Sequence, residues 1–507
     1  MREVEAKFRV HGPFTLPDLT GDDTGVAEVS AGEKSSLRAT YYDTADLRLA
    51  REGITLRQRA GGSDAGWHLK LPTGSDRARE EIQLPPDGSG VPAALRELVT
   101  AYVRSASLAP VATLRTARTT RVLYDGSGNR LGELVDDVVS VLDGPRVAAR
   151  FREIEVEAAP DAEDQESLLD RVGATLAAAG AQPGEVLPKA VRALGARASA
   201  PPDPAPPAKV TPADSARAAL VAHLTTNVRA FLAQDSRVRR DEPDSVHQMR
   251  VAARRLRSAL RTFGPLVETA WADALREELA WVADVLGGAR DGEVLLARLL
   301  GDLATLPAEV VLGPVADRLE SRLSGGLAEA REQVLEVLRG ERYLALLEQL
   351  VAAATNPPTT SAAAAPAGVV LPKLVGAAFD ELARRARRLD RPGTPDEAFH
   401  RARITAKRAR YAAEACVPVF GCAAKALAVE IARVQEVLGE HQDAVVAADF
   451  LRDLAAEPRR GDRTGFTLGV LFADQRAAAH TARAAFADIW PDVRRPRHRR
   501  WLAGAKR

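Results

Sequence analysis

The stretch Met1-Arg2-Glu3-Val4-Glu5-Ala6-Lys7 decides how this chain is read. On a β-strand, side chains alternate between faces. Glu3, Glu5 and Lys7 therefore share one face, and Val4 and Ala6 take the other. Two carboxylates and an ammonium are poor company for an apolar core. They suit a divalent cation carrying a polyanion. Glu153-Ile154-Glu155-Val156-Glu157 repeats the pattern, with the three carboxylates facing one way and Ile154 and Val156 the other. A half-exposed strand with a charged outer face would explain either segment alone. The basic segments between them shift the balance, because they supply the partners that inward-facing acids need.

Arg57 and Arg59 share a face, as do His68 and Lys70, and as do Arg77, Arg79 and Glu81. Arg115 and Arg118 fall in another expected strand. Glu133, Val135 and Asp137 share a face, with Asp136 opposite unless a bulge intervenes. Strands whose charged faces alternate in sign can curl into a closed or nearly closed antiparallel barrel with a polar interior. Such an interior is costly when dry, so it should hold water, metal and ligand. The ligand expected is a chain of phosphates. Arginine offers phosphoryl oxygens a planar fork, lysine a point charge, and carboxylates hold Mg²⁺ or Mn²⁺. No serine or cysteine nucleophile arrangement is visible, which favours direct attack by water over a covalent intermediate.

At 507 residues the chain is too long for one ordinary core. Its net charge is +1, unevenly spread. Residues 1–200 hold 25 Lys and Arg against 30 Asp and Glu, a net of −5, so the remainder carries +6. An acidic domain is joined to a basic one, which suggests two jobs. Cys416 and Cys422 support neither a disulfide scaffold nor a zinc site. The chain opens on a charged strand without an apolar signal segment, and no run of apolar residues is long enough to span a membrane. A cytoplasmic protein is expected, with polyphosphate granules as one place it could reside.

Residues 1–198 read as short strands, with helices at about 91–107 and 164–180. Residues 199–212 form a Pro-rich, semi-rigid linker. From 213 to 490 apolar residues recur every three or four positions, and Ala, Leu, Arg and Glu dominate, which predicts helices. A Pro- and Ala-rich break at 355–368 divides this region into halves, and 491–507 reads as a poorly ordered basic tail. Each half holds a similar element. The first runs from His247 through Arg250, Arg254, Arg255 and Arg257; the second runs from His400 through Arg403, Lys407, Arg408 and Arg410. On a helix, His247, Arg250, Arg254, Arg257 and Arg261 fall within about 80° of arc, and His400, Arg403, Lys407 and Arg410 fall on the same arc. Two such stripes would make a groove for an extended polyanion, with many modest contacts adding avidity and salt dependence. Nucleic acid is the competing polyanion. The absence of zinc-finger spacing, Gly-rich single-strand motifs and plentiful aromatics argues against it.

The N-terminal arrangement resembles the CYTH family, the triphosphate tunnel metalloenzymes. The resemblance rests on Glu3-x-Glu5-x-Lys7, Tyr42-Asp43-Thr44, Gly53 to Arg59, Trp67-x-Leu69-Lys70, Arg79-x-Glu81, Arg118, Glu133 to Asp137, Glu153-x-Glu155-x-Glu157, and Lys189 before Arg192-Ala193-Leu194. It implies an α+β antiparallel tunnel. It also implies metal binding at Glu3, Glu5, Asp137, Glu153 and Glu155, and phosphate binding at Lys7, Arg57, Arg59, Lys70, Arg79, Arg118 and Lys189. Glu3, Glu5, Lys7, Arg57, Arg59, Lys70, Arg118, Glu153 and Glu155 would then carry catalysis. The helical half is similar to the CHAD family, through the two basic elements and through Leu286-Gly287-Gly288-Ala289-Arg290-Asp291 and Leu438-Gly439-Glu440-His441-Gln442-Asp443, which fit that family's repeated helix endings. That likeness implies an all-α domain of two related bundles that binds polyphosphate through His247, Arg250, Arg254, Arg255, Arg257, His400, Arg403, Lys407, Arg408 and Arg410. The expected activity is Mg²⁺- or Mn²⁺-dependent hydrolysis of inorganic triphosphate. Alternatives are thiamine triphosphate hydrolysis, ATP cyclisation, or a granule-binding protein with a weak tunnel. The sequence leaves the oligomeric state open.

Overall fold

The computed structural model describes residues 2–62, 64–74, 77–86, 88, 90–162, 164–184, 188–389, 391, 393–457 and 463–503. The side chains of Arg2, Glu3, Ala289, Arg290 and Leu327 lie outside the described set. The chain divides into two compact units, Met1–Ala205 and Pro206–Arg507. The boundary falls inside the Pro-rich segment.

The first unit is an antiparallel barrel. Its strands are β1 (Arg2–Val10), β2 (Glu28–Val29), β3 (Glu33–Asp43), β4 (Thr55–Ala60), β5 (Gly66–Pro72), β6 (Ala78–Leu84), β7 (Ala109–Tyr124), β8 (Arg130–Asp143), β9 (Arg146–Ala158) and β10 (Gln182–Pro183). Eight of them run in the order β1-β6-β5-β4-β3-β7-β8-β9, and β9 pairs back onto β1 to close the ring. The alternation read from the sequence sets which face is greasy. Val4, Ala6, Phe8, Ile154 and Val156 point outward and pack on Leu168, Leu169, Val172 and Leu176 of the helix Gln165–Ala178. That helix starts at Asp164, whose side chain accepts from the Ser167 amide. Trp67, Leu69 and Leu71 likewise point outward, onto Leu95, Val99 and Val103. Each such buried side chain contributes roughly 1.5–3 kcal/mol, so the packing that holds the barrel lies outside it and leaves the interior for charge. Helix Lys189–Leu194 plugs the barrel, with Ala190 packed among Ala39, Tyr41, Leu114 and Val139.

The second unit is helical. The helices Ser245–Thr262 and Asp396–Ala415 pack on each other, and each also packs on a long helix, Thr269–Thr305 and Cys422–Ala456 respectively. Two expectations change here. Leu286 to Asp291 and Leu438 to Asp443 are not helix endings; both lie in mid-helix. Residues 491–503 of the expected tail are not loose either, and 504–507 lie outside the described residues. The helix Gly465–Val493 runs into the tail, and Pro496–Ala503 forms a 3₁₀ turn. Trp501 lies 4.9 Å from the Phe420 ring, and the Arg499 guanidinium sits 4.8 Å above Phe379. Two aromatic contacts outweigh the charge repulsion that the basic composition suggested. No helix among the described residues is long and apolar enough to cross a membrane.

Candidate active site and polyanion groove

The barrel encloses a cavity of about 240 Å³ whose walls carry opposite charge. Arg57 and Arg59 of β4, Lys70 of β5 and Arg79 of β6 line one side. Glu5 of β1, Glu155 and Glu157 of β9 and Glu133 of β8 line the other. In the ring, β4 stands four strands from β9, and β5 four from β8, so the two walls face each other. The register puts Glu157 directly opposite both Glu5 and Glu133, three carboxylates in one cross-strand row. Like charges so placed destabilise a sheet unless a cation lies among them.

Two lysines supply part of that charge. Lys189 Nζ lies 3.0 Å from Asp137, 2.9 Å from Glu153 and 2.6 Å from Glu155. Lys7 Nζ lies 2.6 Å from Glu155 and 3.2 Å from Glu5. Burial opposes ionisation of Glu155, but Lys189, Lys7 and Arg118 outweigh it and hold its carboxyl well below the usual range. Burial likewise works against both ammonium groups, and the surrounding carboxylates raise them above the ordinary lysine value. Glu157 moves the other way. Burial raises it, and Glu5, Glu155 and Glu133 add to the rise against Lys70.

The remaining expected residues are placed as follows. Asp137 is fully buried and holds Arg118 through two hydrogen bonds of 2.9 and 2.7 Å, so with Lys189 it anchors cations and does not line the cavity. Glu153 is turned to Lys189 and Arg192. Arg57 reaches the Tyr41 hydroxyl at 3.4 Å and Glu81 at 3.7 Å, while Arg59 is paired with Asp64. Glu3 lies in β1 opposite Arg79, but its side chain is outside the described set. Arg77 does not join Arg79 and Glu81; it precedes β6 and pairs with Asp170 at 2.7 Å. Arg115 faces away from Arg118, since three positions along a strand reverse the face. The chain pattern did not single out Tyr41 or Asp64. His68 was legible only as a neighbour of Lys70; it binds Glu81 through Nδ1 at 2.8 Å and the Asp64 carbonyl through Nε2 at 2.8 Å, and so fixes the cationic wall.

No three carboxylates or imidazoles among the described residues converge as a ready-made metal cage. The donor set nonetheless fits a hard divalent cation. The Glu5–Glu157–Glu133 row is all oxygen, whereas Oε1 of Glu153 and of Glu155 is already taken, by Lys189 at 2.9 Å and by Lys7 at 2.6 Å.

In the helical unit, the two basic helices converge as the stripes required. Arg250 binds Asp291 at 2.5 and 3.1 Å, and Arg403 reaches Asp443 at 3.4 Å. The Arg250 guanidinium lies over Gly287 and that of Arg403 over Gly439. His400 Nδ1 meets Gln442 at 2.7 Å. Lys407 is half-buried, and burial with Arg403, Arg254 and Arg250 nearby, against Asp443, pulls its ammonium down to about 7. Neither Arg254 nor Lys407 has an ion-pair partner among the described residues. Arg255, Arg408 and Arg410 depart from the expected groove. Arg255 and Arg410 share Glu414, at 3.2 and 2.6 Å, and Arg408 pairs with Glu381. Arg255 and Arg408 staple helices together, and Arg410 pairs within its own helix. Arg257 faces Asp284 and Arg276 of the neighbouring helix.

Comparison with known proteins agrees with this architecture. The CYTH domain family matches residues 1–173 and the CHAD domain family residues 222–452. The uncharacterized protein Rv2226 of Mycobacterium tuberculosis strain H37Rv is 35% identical over 506 residues, 95% of this chain and 94% of that protein. Among solved structures, PptA from Streptomyces chartreusis is 28% identical over 55% of this chain and all of its own, with a TM-score of 0.47. The CHAD domain of the plant Ricinus communis is 26% identical over 56% of this chain and 94% of its own, with a TM-score of 0.45. A closed barrel with a charged interior, followed by paired basic helices, thus meets both family matches in chain order, and the chain belongs to the family of proteins that join a CYTH triphosphate-tunnel domain to a CHAD domain.

Proposed function

We propose that the barrel hydrolyses inorganic triphosphate with Mg²⁺ or Mn²⁺, and that the helical unit binds inorganic polyphosphate. The observation that carries the first half is the cavity itself, a cationic wall facing an acidic one, where Tyr41, its hydroxyl 3.4 Å from Arg57, is the one aromatic residue in the lining among the described residues. Trp67 is fully buried in the outer packing, its ring 5.0 Å from that of Tyr42, so it is not available to stack on adenine or a thiazole. Nε of Arg57 and of Arg59 is buried without a partner, and phosphoryl oxygens would satisfy both.

In this reading Arg57, Arg59, Lys70 and Arg79 hold the triphosphate and spread its charge. Glu5, Glu155 and Glu157 would hold the divalent cation, which would supply positive charge against the negative charge of the triphosphate. Glu157, whose carboxyl burial raises above its ordinary value, would accept a proton from the attacking water. Lys7 and Lys189 keep Glu155 ionised. For the helical unit, the supporting feature is the cluster of Arg250, Arg254, Arg403 and Lys407, in which two half-buried cations lack a counter-ion among the described residues.

The test is phosphate release from a panel of triphosphate, ATP and thiamine triphosphate with Mg²⁺, Mn²⁺ or chelator. Metal-dependent release from triphosphate, reduced about 10²–10³-fold by Glu155→Gln, is expected. Preferential turnover of ATP, or activity untouched by that change, refutes the assignment.

A further inference from the structure

The outer face of the barrel carries a cationic row that neither site uses. The register sets Arg38 of β3 directly opposite Arg115 of β7, Arg115 opposite Ser140 of β8, and Ser140 opposite Arg150 of β9. Residues paired in this way share a face, so three arginines stand in line across four strands, a span of roughly 15 Å. Lys34, four residues before Arg38, projects from the same face. All four side chains are exposed, and none has an ion-pair or hydrogen-bond partner among the described residues. Asp136, on the same face, is already held by Arg152 at 2.9 and 2.7 Å. Arginines directly opposite one another weaken a sheet unless an anion lies across them.

Two further features define the anion. The paired positions on this face between Lys34 and Thr40 include no aromatic ring, and Phe151, which lines the adjoining groove, has the Arg192 guanidinium 4.1 Å over its ring, so a ligand read through stacked bases finds little platform. A groove of about 780 Å³ bordered by Lys34 and Arg150 reaches Arg118, which also lines the tunnel cavity. We infer that the Arg38–Arg115–Arg150 row is a second polyanion site, which holds an extended inorganic polyphosphate chain on the outside of the barrel. This rests on the proposed function only for the identity of the polymer.

The experiment uses the full chain with the helical groove silenced by Arg254→Glu and Lys407→Glu. This background should retain salt-sensitive binding of long-chain polyphosphate. Adding Arg38→Gln, Arg115→Gln and Arg150→Gln should remove that binding and flatten the log–log salt slope by about 2–3. Triphosphate turnover should stay at the background level. The melting temperature without ligand should hold or rise, because like-charge pairs are lost, and this reports that the variant folds. Absence of residual polyphosphate binding in the background overturns the proposal. So does an unchanged affinity and slope after neutralisation, or a loss confined to single-stranded nucleic acid or anionic vesicles. Polyphosphate binding lost with the row, in a protein that releases no phosphate from triphosphate, sinks the hydrolase reading and leaves this one standing.

Discussion

Lys189 is the residue on which the barrel interior turns. One ammonium, 9% exposed, stands within 3.0 Å of Asp137, Glu153 and Glu155. Lys189→Met would leave these acids to Arg118, Lys7 and Arg192 alone. A cost of about 3–5 kcal/mol in denaturant unfolding is expected, together with lost turnover; a cost below about 1 kcal/mol would mean that water already screens the cluster. Acid should act on the same place. Glu155 is depressed in the fold, so its contribution is present above the ordinary value of 4.5 and is lost as pH falls through the lower folded value. Lys407 is depressed too, and the direction is the same although the pH window differs. Its ammonium falls from 10.5 to about 7, so between those values the unfolded chain binds the extra proton and stability rises with pH. A bound polyanion favours the charged form, and binding should therefore take up a proton. Polyphosphate affinity is expected to fall by about tenfold between about pH 6 and pH 9, with Lys407→Arg flattening the profile. Isothermal titration in buffers of different ionisation enthalpy would check it, and a flat wild-type profile would remove Lys407 from the groove.

At the scale of the element, the duplicated glycines explain why a motif expected at helix ends sits in mid-helix. Glycine there gives a guanidinium room to lie against the helix; it does not end it. A Cβ at Gly287 would meet the Arg250 guanidinium at 3.1 Å, whereas one at Gly439 would meet Arg403 at 3.7 Å, an ordinary contact. Gly439→Ala should therefore gain about 0.5–1 kcal/mol of stability from helix propensity without loss of binding. Gly287→Ala should gain less and weaken polyphosphate binding, because Arg250 must shift off Asp291. Thermal unfolding and a gel-shift titration distinguish the two, and identical behaviour would refute the close-approach argument. The alternation of Glu3, Glu5 and Lys7, and of Glu153 to Glu157, was legible because a strand's period is two. The row Glu5–Glu157–Glu133 was not, because cross-strand register is absent from any one segment. The same limit hid the pairing of Arg38 with Arg115. Arg410 was read into the groove because helical spacing gives an arc, and Arg255 and Arg408, which lie off that arc, because of the family's motif; neither signal shows the acids that take them, Glu414 and Glu381.

For the whole molecule, the uneven charge of the sequence divides into two physical regimes. The cations that line the barrel's cavity are enclosed and most of the cavity's acids are buried against them, so salt reaches them poorly. The cations of the helical unit form an open stripe in which Arg254 and Lys407 lack counter-ions among the described residues. A polymer bound there releases condensed ions and should be far more sensitive to salt. Raising salt from about 0.05 to about 0.5 M is therefore expected to weaken polyphosphate binding by at least about 10²-fold, while KM for triphosphate changes by less than about tenfold. The two activities should also separate by mutation. Glu155→Gln removes turnover and leaves polyphosphate binding; Arg254→Glu with Lys407→Glu leaves turnover and weakens polyphosphate binding to what the outer row of the barrel retains. Parallel loss of both functions in either variant, or equal salt slopes for the two ligands, would show that one site serves both and that the charge division has no functional meaning.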